Sequence, residues 1–180
     1  MQLNINILLG LVTAVSAVDI AFYGNDNCSG RFNSCTNMNP NQCCNQANLP
    51  SLAFNSIPSN WNLVVKAYDS NGNQFACSRQ KNTVESLGRT SVCLRGQAPY
   101  NGGGYAFKGV PGGRKRDDGA FEDAHVSTDC VRPDTFTDED GAEYSAKDLD
   151  QAEFDELLEH WNNGTSVSEI ATSFTSFKLK

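Results

Sequence analysis

The order of hydrophobic and polar residues divides the chain into an apolar start, a β-like part and a helix-like end. Between residues 18 and 96, the segments IAFY, NLVVKAY, QFACS and TSVCLR alternate in polarity or are rich in β-branched residues, and polar turns separate them. This pattern is typical of short strands. The predicted fold class is therefore mainly β, a disulfide-stapled β module followed by a short acidic α-helical C-terminal region.

Near the C-terminus the apolar residues recur at helical spacing. One stripe consists of Phe154, Leu157, Leu158 and Trp161. A capping box is expected at Ser145 and Asp148, and Gly164 is expected to end this helix. A second stripe, capped by Ser166 and Glu169, comprises Val167, Ile170, Ala171, Phe174 and Phe177. Before both, residues 136–144 (FTDEDGAEY) are expected to form two short strands around an Asp-Gly turn.

The first seventeen residues, MQLNINILLGLVTAVSA, carry no charge and contain an apolar run that ends in small residues. This composition predicts a secretory signal peptide over residues 1–17, cleaved after Ala17. The run is about half of the roughly 20 residues that a transmembrane helix needs. The mature protein is therefore expected to be secreted and extracellular, with no transmembrane segment.

Charge divides the chain into a basic and an acidic half. Residues 18–116 contain ten Lys and Arg against four acids, whereas residues 117–180 contain four bases against seventeen acids. The sign changes within residues 97–119, a stretch rich in glycine that predicts a flexible linker. This linker carries the dibasic pair Lys115-Arg116, where a processing protease is expected to cut after Arg116. The predicted order is thus a basic cysteine-rich module (18–96), the linker and an acidic helical region (120–180).

Six of the seven cysteines precede the linker and form an even set that can close three bridges. They are Cys28, Cys35, Cys43, Cys44, Cys77 and Cys93. Fifteen pairings are open to six cysteines, and sequence does not choose among them. The adjacent Cys43 and Cys44 are expected to have different partners, and Cys130 is the candidate for an unpaired thiol. The spacings do not favour a zinc site.

The stretch that begins at Phe22-Tyr23, with Gly30 following, resembles the first Greek-key motif of βγ-crystallin-like domains. That family places a serine some two dozen residues later, and Ser56 occupies this position. A second motif would begin at Trp61 and run to Tyr68. The resemblance covers residues 18–96 and implies a Greek-key-like β module with a folded hairpin corner at Gly30. The windows 51–56 and 86–91 lack the acidic or amide pair through which many members bind calcium, so no metal is expected.

Few residues suggest catalysis. His125 lies near acids and Ser127, and His160 lies at a predicted helix end, but no nucleophile motif accompanies either histidine. No catalytic residue, cofactor or metal ligand is therefore assigned. The acids of the basic half could form a glycosidase pair if a cleft brought two of them together. Asn163 and Asn27 stand in glycosylation sequons, the second beside a cysteine.

The leading hypothesis is a secreted, cysteine-rich, non-enzymatic interaction protein, resembling effector-like or toxin-like proteins of filamentous fungi. Its basic module is expected to bind an anionic cell-wall polymer, phospholipid headgroup or host protein. Nucleic acid is not the expected partner, whereas a processing protease is. In this hypothesis the acidic half covers the basic surface until it is cleaved off. The alternatives are a small secreted hydrolase of polysaccharide or nucleic acid, and a structural protein of a cell wall or matrix.

Overall fold

The computed structural model describes residues 17–69, 77–108, 130–166, 169–170 and 178–179. The elements, in chain order, are β1 (Val18–Tyr23), β2 (Phe32–Met38), β3 (Cys43–Leu49), β4 (Ser51–Asn55), β5 (Leu63–Asp69), β6 (Arg79–Glu85), β7 (Val92–Leu94), β8 (Tyr100–Phe107), β9 (Cys130–Val131), β10 (Thr135–Thr137), β11 (Glu143–Ser145), α1 (Gln151–Asn162) and β12 (Lys178–Leu179). The prediction of a mainly β protein is confirmed.

The strands form two sheets that exchange strands. One sheet has the order β12-β11-β10-β2-β1-β4-β7, and the other has the order β6-β5-β8-β3-β9. The first four strands and the next four repeat one path. In each set a hairpin forms first, the third strand pairs in the opposite sheet, and the fourth returns beside the first. Because β3 and β7 each lie in the other set's sheet, neither set of four is complete alone.

The main core lies between the two sheets. Its largest fully buried side chains include Phe22, Phe54, Leu52 and Tyr100. β1 and β4 supply most of these residues, which explains why the apolar segment IAFY was recognisable as a strand. The sequences of β2, β3 and β6 are largely polar and lack a regular alternation of apolar residues, so these strands were not predicted. Of the predicted segment QFACS, residues 74–76 lie outside the described residues, and Cys77 and Ser78 form a turn rather than a strand.

The stretch predicted to be a linker contains a central strand. β8 lies between β5 and β3, so residues 100–107 are part of the sandwich. A Cβ on Gly103 would lie 2.8 Å from Cγ2 of Ile20 and 3.2 Å from Cδ1 of Leu52. A Cβ on Gly104 would lie 2.9 Å from the carbonyl oxygen of Gln42. These glycines therefore serve close packing between strands rather than flexibility. Residues 109–119, with Lys115 and Arg116, lie outside the described residues.

The acidic C-terminal region is continuous with both sheets. β9 runs parallel to β3, and β10 runs antiparallel to β2, so one short segment extends the two sheets in turn. β10 and β11 pair as Thr135↔Ser145 and Phe136↔Tyr144, and Gly141 (φ +84°) lies in the turn. This confirms the predicted hairpin. The region predicted to be helical therefore also contributes strands to the sandwich.

Helix α1 begins later than the sequence indicated. Its N-cap is Asp150, whose side chain accepts from the Glu153 backbone N–H at 2.9 Å, and Glu153 accepts in return from the Asp150 N–H. The predicted box at Ser145 and Asp148 is wrong, because Ser145 ends β11. The predicted stripe buries Phe154, Leu157 and Trp161 against a second apolar cluster that includes Phe136.

The second predicted helix falls mostly outside the described residues. Ser166 Oγ accepts from the Glu169 N–H at 3.3 Å, and Ile170 is buried in the same cluster as α1. Within the described part of the chain, no helix is both long and apolar enough to cross a membrane.

We expect Gly103→Ala to lower the free energy of unfolding by about 1–3 kcal/mol, since the added methyl group overpacks a filled core. Urea unfolding with the disulfides intact measures this loss. Gly24→Ala is the matched control, because nothing lies within 4 Å of its added Cβ. Equal stability of the two variants would contradict the packing role of Gly103.

Candidate functional site

Three disulfides connect the six cysteines of residues 18–96. Cys28 pairs with Cys93, Cys35 pairs with Cys44, and Cys43 pairs with Cys77. Successive side chains of a strand point to opposite faces of its sheet. On β3, Cys44 therefore reaches inward to β2 of the other sheet, while Cys43 reaches the segment before β6. Adjacent Cys43 and Cys44 do have different partners, as expected.

The remaining predicted modification sites are scattered. Cys130 belongs to none of the three disulfides and is exposed at the start of β9. Asn163 is exposed at the C-cap of α1, and Asn27 is exposed in the β1–β2 loop beside the bridged Cys28. Ala17 immediately precedes β1. The structure does not bring these residues together into one site.

The β1–β2 loop contains Gly30, the glycine of the expected hairpin corner. Gly30 has a φ of +74°, which side chains with a Cβ rarely adopt, and the rings of Tyr23 and Phe32 lie 5.1 Å apart at the base of the loop. Ser51 Oγ donates to the carbonyl of Asn25 at 2.7 Å and accepts from the Cys28 N–H at 3.2 Å. The loop is thus held by β4.

The other motif residues have local structural roles. The serine that contacts the loop is Ser51, whereas Ser56 Oγ donates to Asp19 at 2.9 Å. Trp61 precedes β5 and packs on Phe107 at a ring distance of 4.8 Å. Tyr68 lies on β5, and its ring is 3.6 Å from the Cβ position of Gly104.

Six bases lie on β5 and β6 or in the segments that follow β6, β7 and β8, on the side of the two sheets where β6 and β7 are the last strands. We call this surface the basic edge, and it consists of Lys66, Arg79, Lys81, Arg89, Arg95 and Lys108. Asp69 binds Arg79 at 2.6 Å and Lys81 at 3.5 Å, and Glu85 binds Lys108 at 2.6 Å. Two acids thus face six bases, which leaves the basic edge with a positive excess.

Six acids in the described part of the C-terminal region lie at the opposite end of the sheets. We call this surface the acidic edge, formed by Asp138, Glu139 and Asp140 between β10 and β11 and by Asp155, Glu156 and Glu159 of α1. β10, β11 and α1 extend the sandwich beyond β2, away from β6 and β7. None of these six acids covers the basic edge, whereas other acids of the acidic half, among them Asp117, Asp118 and Glu122, lie outside the described residues. The expected cover stays a prediction.

Arg31 is the base of the β module that binds α1. Its guanidinium stacks on Trp161 at 3.7 Å and donates to the carbonyls of Trp161 and Thr165 at 2.9 and 3.1 Å. A cation here also complements the negative end of the helix dipole. Burial lowers the pKa of Arg31, and the nearby carboxylates of Asp138 and Glu139 offset only part of this effect. Because the usual guanidinium pKa is far above 7, Arg31 stays charged.

Arg132 braces the other end of α1. Its guanidinium lies 4.3 Å from the ring centre of Phe154 and donates to the carbonyls of Leu149 and Asp150. The helix is therefore held at both ends by arginines that approach backbone carbonyls and an aromatic face.

A groove of about 530 Å³ follows the seam between β2 and the C-terminal region. Asp134 lines it, and its carboxylate accepts from the Thr36 N–H at 3.1 Å, the Thr36 hydroxyl at 2.9 Å and Lys147 Nζ at 3.3 Å. Beneath, Tyr105 donates its hydroxyl to the Met38 carbonyl at 2.7 Å, and burial raises the pKa of Tyr105 to about 12. Asp134 thus joins the C-terminal region to β2 rather than presenting an open carboxylate.

The histidines do not form a catalytic arrangement in the described residues. His160 is exposed in the last turn of α1, 3.9 Å from Glu156 one turn earlier. His125 and Ser127 lie outside the described residues. Within the described ranges, no three His, Cys, Asp or Glu residues are grouped to hold a metal ion.

A family model described as an N-terminal domain, ARB_05566_N, matches residues 19–134, more than half of the chain. The chain belongs to the ARB_05566_N family. The matched region begins in β1 and ends at Asp134, so it spans β8 and β9 and stops just before β10 and α1. No curated protein and no solved structure matches the chain.

We expect Arg31→Gln to lower the free energy of unfolding by about 1–3 kcal/mol, because it removes a stacked cation and two charge-assisted hydrogen bonds. Urea unfolding, followed by tryptophan fluorescence, measures the loss. Arg95→Gln, which removes an exposed base at the other end of the sheets, is the control and should change stability by less than about 0.5 kcal/mol. Equal effects of both substitutions would refute the bracing role of Arg31.

Proposed function

We propose that this ARB_05566_N family member is a secreted, non-enzymatic interaction protein, effector-like or toxin-like, that binds an anionic extracellular partner through its basic edge. The observation that carries the proposal is the separation of charge among the described residues, with the six bases of the basic edge near β6 and β7 and the six acids of the acidic edge on the other side of the sandwich. At physiological salt the screening length is about 8 Å. The acidic edge therefore weakens attraction at the basic edge little, although the whole chain has a net charge of −7.

Secretion is supported by the three disulfides, since such bonds form and persist in oxidising compartments. It is also supported by the start of β1. Val18 is fully buried and directly follows the predicted cleavage site at Ala17. Cleavage there would leave the first strand intact.

We infer further that residues 18–108 form a βγ-crystallin-like pair of Greek keys. The supporting features are the repeated path of four strands, the exchange of β3 and β7 between the sheets and the positive φ of Gly30. The extent of this unit differs from the sequence-based 18–96, because β8 completes the second set of strands.

Binding to heparin, as a probe polyanion, tests the basic edge. We expect the salt dependence of log K to fall by about 1 for each contacting base removed. The variants Lys66→Gln and Arg79→Gln should each show this reduction. Lys147→Gln at the groove is the matched control and should leave the slope unchanged. Binding that is equally strong at low and high salt, or equally affected by Lys147→Gln, would exclude the basic edge as the binding surface.

We propose that proteolysis after Arg116 leaves the two fragments associated instead of releasing the basic module. β9 and β10 pair with β3 and β2, and Arg31 binds α1, so contacts on both sheets would hold the C-terminal fragment.

We therefore expect protein cleaved by a dibasic-specific protease to elute in gel filtration at the position of the intact protein. The same sample should give two bands on a reducing denaturing gel. Uncleaved protein is the control for elution. Elution of a separate basic fragment under native conditions would show that strand pairing does not retain the C-terminal region.

A further inference from the structure

One large apolar side chain projects from the basic edge. Among the described residues, Leu87 is the exposed large hydrophobic, with 69% of its surface accessible. It lies in the loop of residues 86–91 between β6 and β7, where it has a φ of +50° and Gly88 has a φ of +76°. A leucine pays a conformational penalty in this left-handed region. A strained, exposed leucine is unusual and suggests a functional constraint.

The loop of residues 86–91 is rigidly held. Ser86 is fully buried, and its hydroxyl accepts from the Leu63 N–H at 2.9 Å and donates to the Trp61 carbonyl at 3.3 Å. On the far side, the Thr90 carbonyl accepts from the Ile57 N–H at 3.1 Å. Leu87 is therefore presented on a fixed support, so little entropy is lost when it docks.

Two cationic side chains lie near the start of this loop. Arg89 donates from its guanidinium to the carbonyls of Glu85 and Ser86 at 2.6 and 3.0 Å, which fixes its charge at the start of the loop that carries Leu87. Lys108 lies next to it through its contact with Glu85 at 2.6 Å. Two bases and one acid thus border a projecting apolar side chain.

We propose that Leu87 inserts into the surface of an anionic phospholipid bilayer while the basic edge contacts the headgroups. The proposal rests on the proposed function and names the partner for that surface. A bilayer offers negative charge above an apolar layer, which matches an apolar tip bordered by cations. A hydrated polyanion offers charge without an apolar layer and gives Leu87 no role.

The test is sedimentation with vesicles of phosphatidylcholine containing phosphatidylserine. Leu87→Asn removes the apolar group, and asparagine tolerates a positive φ, so the loop should keep its shape. We expect this variant to bind about tenfold more weakly, the effect of losing one buried leucine. Ala152→Asn, an exposed substitution on α1 at the other end, is the matched control and should bind like the wild type.

A second variant reports insertion directly. Leu87→Trp should show a blue shift of its fluorescence with these vesicles, but not with heparin, relative to the background of the wild type. Vesicles of phosphatidylcholine alone should bind both forms weakly, because the headgroup attraction is missing.

The possible outcomes distinguish insertion of Leu87 into a bilayer from binding of an anionic partner by the basic edge. Unchanged vesicle binding by Leu87→Asn, or the absence of a blue shift, would overturn the insertion. Salt-sensitive binding to heparin without binding to vesicles would also overturn it but leave the proposed function standing, whereas binding to neither would contradict both. Loss of self-association in Leu87→Asn without a change in lipid binding would make the loop a contact between copies and overturn the lipid assignment.

Discussion

The exchange of β3 and β7 between the sheets is the constraint on which the rest of the structure depends. β3 pairs with β8 instead of continuing beside β2. One face of β3 therefore packs into the core between the sheets, and the other face lies on the outer side of its sheet. Cys44 then faces the core and Cys43 faces the outside of its sheet, so the two neighbouring cysteines bond in opposite directions. The same exchange leaves β2 and β3 next to each other at one end, where a following segment can extend both sheets.

This arrangement also determines where charge accumulates. The chain places seventeen of its 21 acidic residues after β8, and the open strands available at that point are β2 and β3 at one end of the sandwich. β9 and β10 pair there, so the acids of the β10–β11 turn, of β11 and of α1 collect at that end. The bases of β5, β6 and the following loops precede the acidic region in the chain, and they lie on the other side of the sandwich because β6 and β7 are the last strands there. Charge counts alone suggested attraction between the halves, but strand pairing holds the described acids of the acidic edge away from the basic edge.

The sequence predicted those strands and the helix whose apolar residues recur at the spacing of their buried face. The apolar run of β1, the alternation of β5 and the stripe of α1 each bury the residues that their periodicity selects. The sequence did not predict β2, β3, β6 and β8, because their polar or glycine-rich sequences lack the alternation of a half-buried strand. Gly103 illustrates the difficulty. A run of glycines in a sequence indicates flexibility, but this position requires glycine because Ile20 of β1 and Leu52 of β4 leave no room for a Cβ. The sequence predicted a basic module, but not which bases share a surface, because these bases come from five separate segments.

Arg31 shows how one residue joins the two halves through backbone carbonyls and an aromatic ring as well as through nearby carboxylates. It lies in the part of the chain matched by the ARB_05566_N family, whereas its partners Trp161 and Thr165 lie beyond that region. The bond uses backbone carbonyls and an aromatic face, which are less sensitive to salt than pairs of exposed charges. In the proposed function, the basic edge meets an anionic partner, and salt should weaken that encounter without loosening α1. Folding and the proposed recognition would then use bases of the same module through different physical interactions.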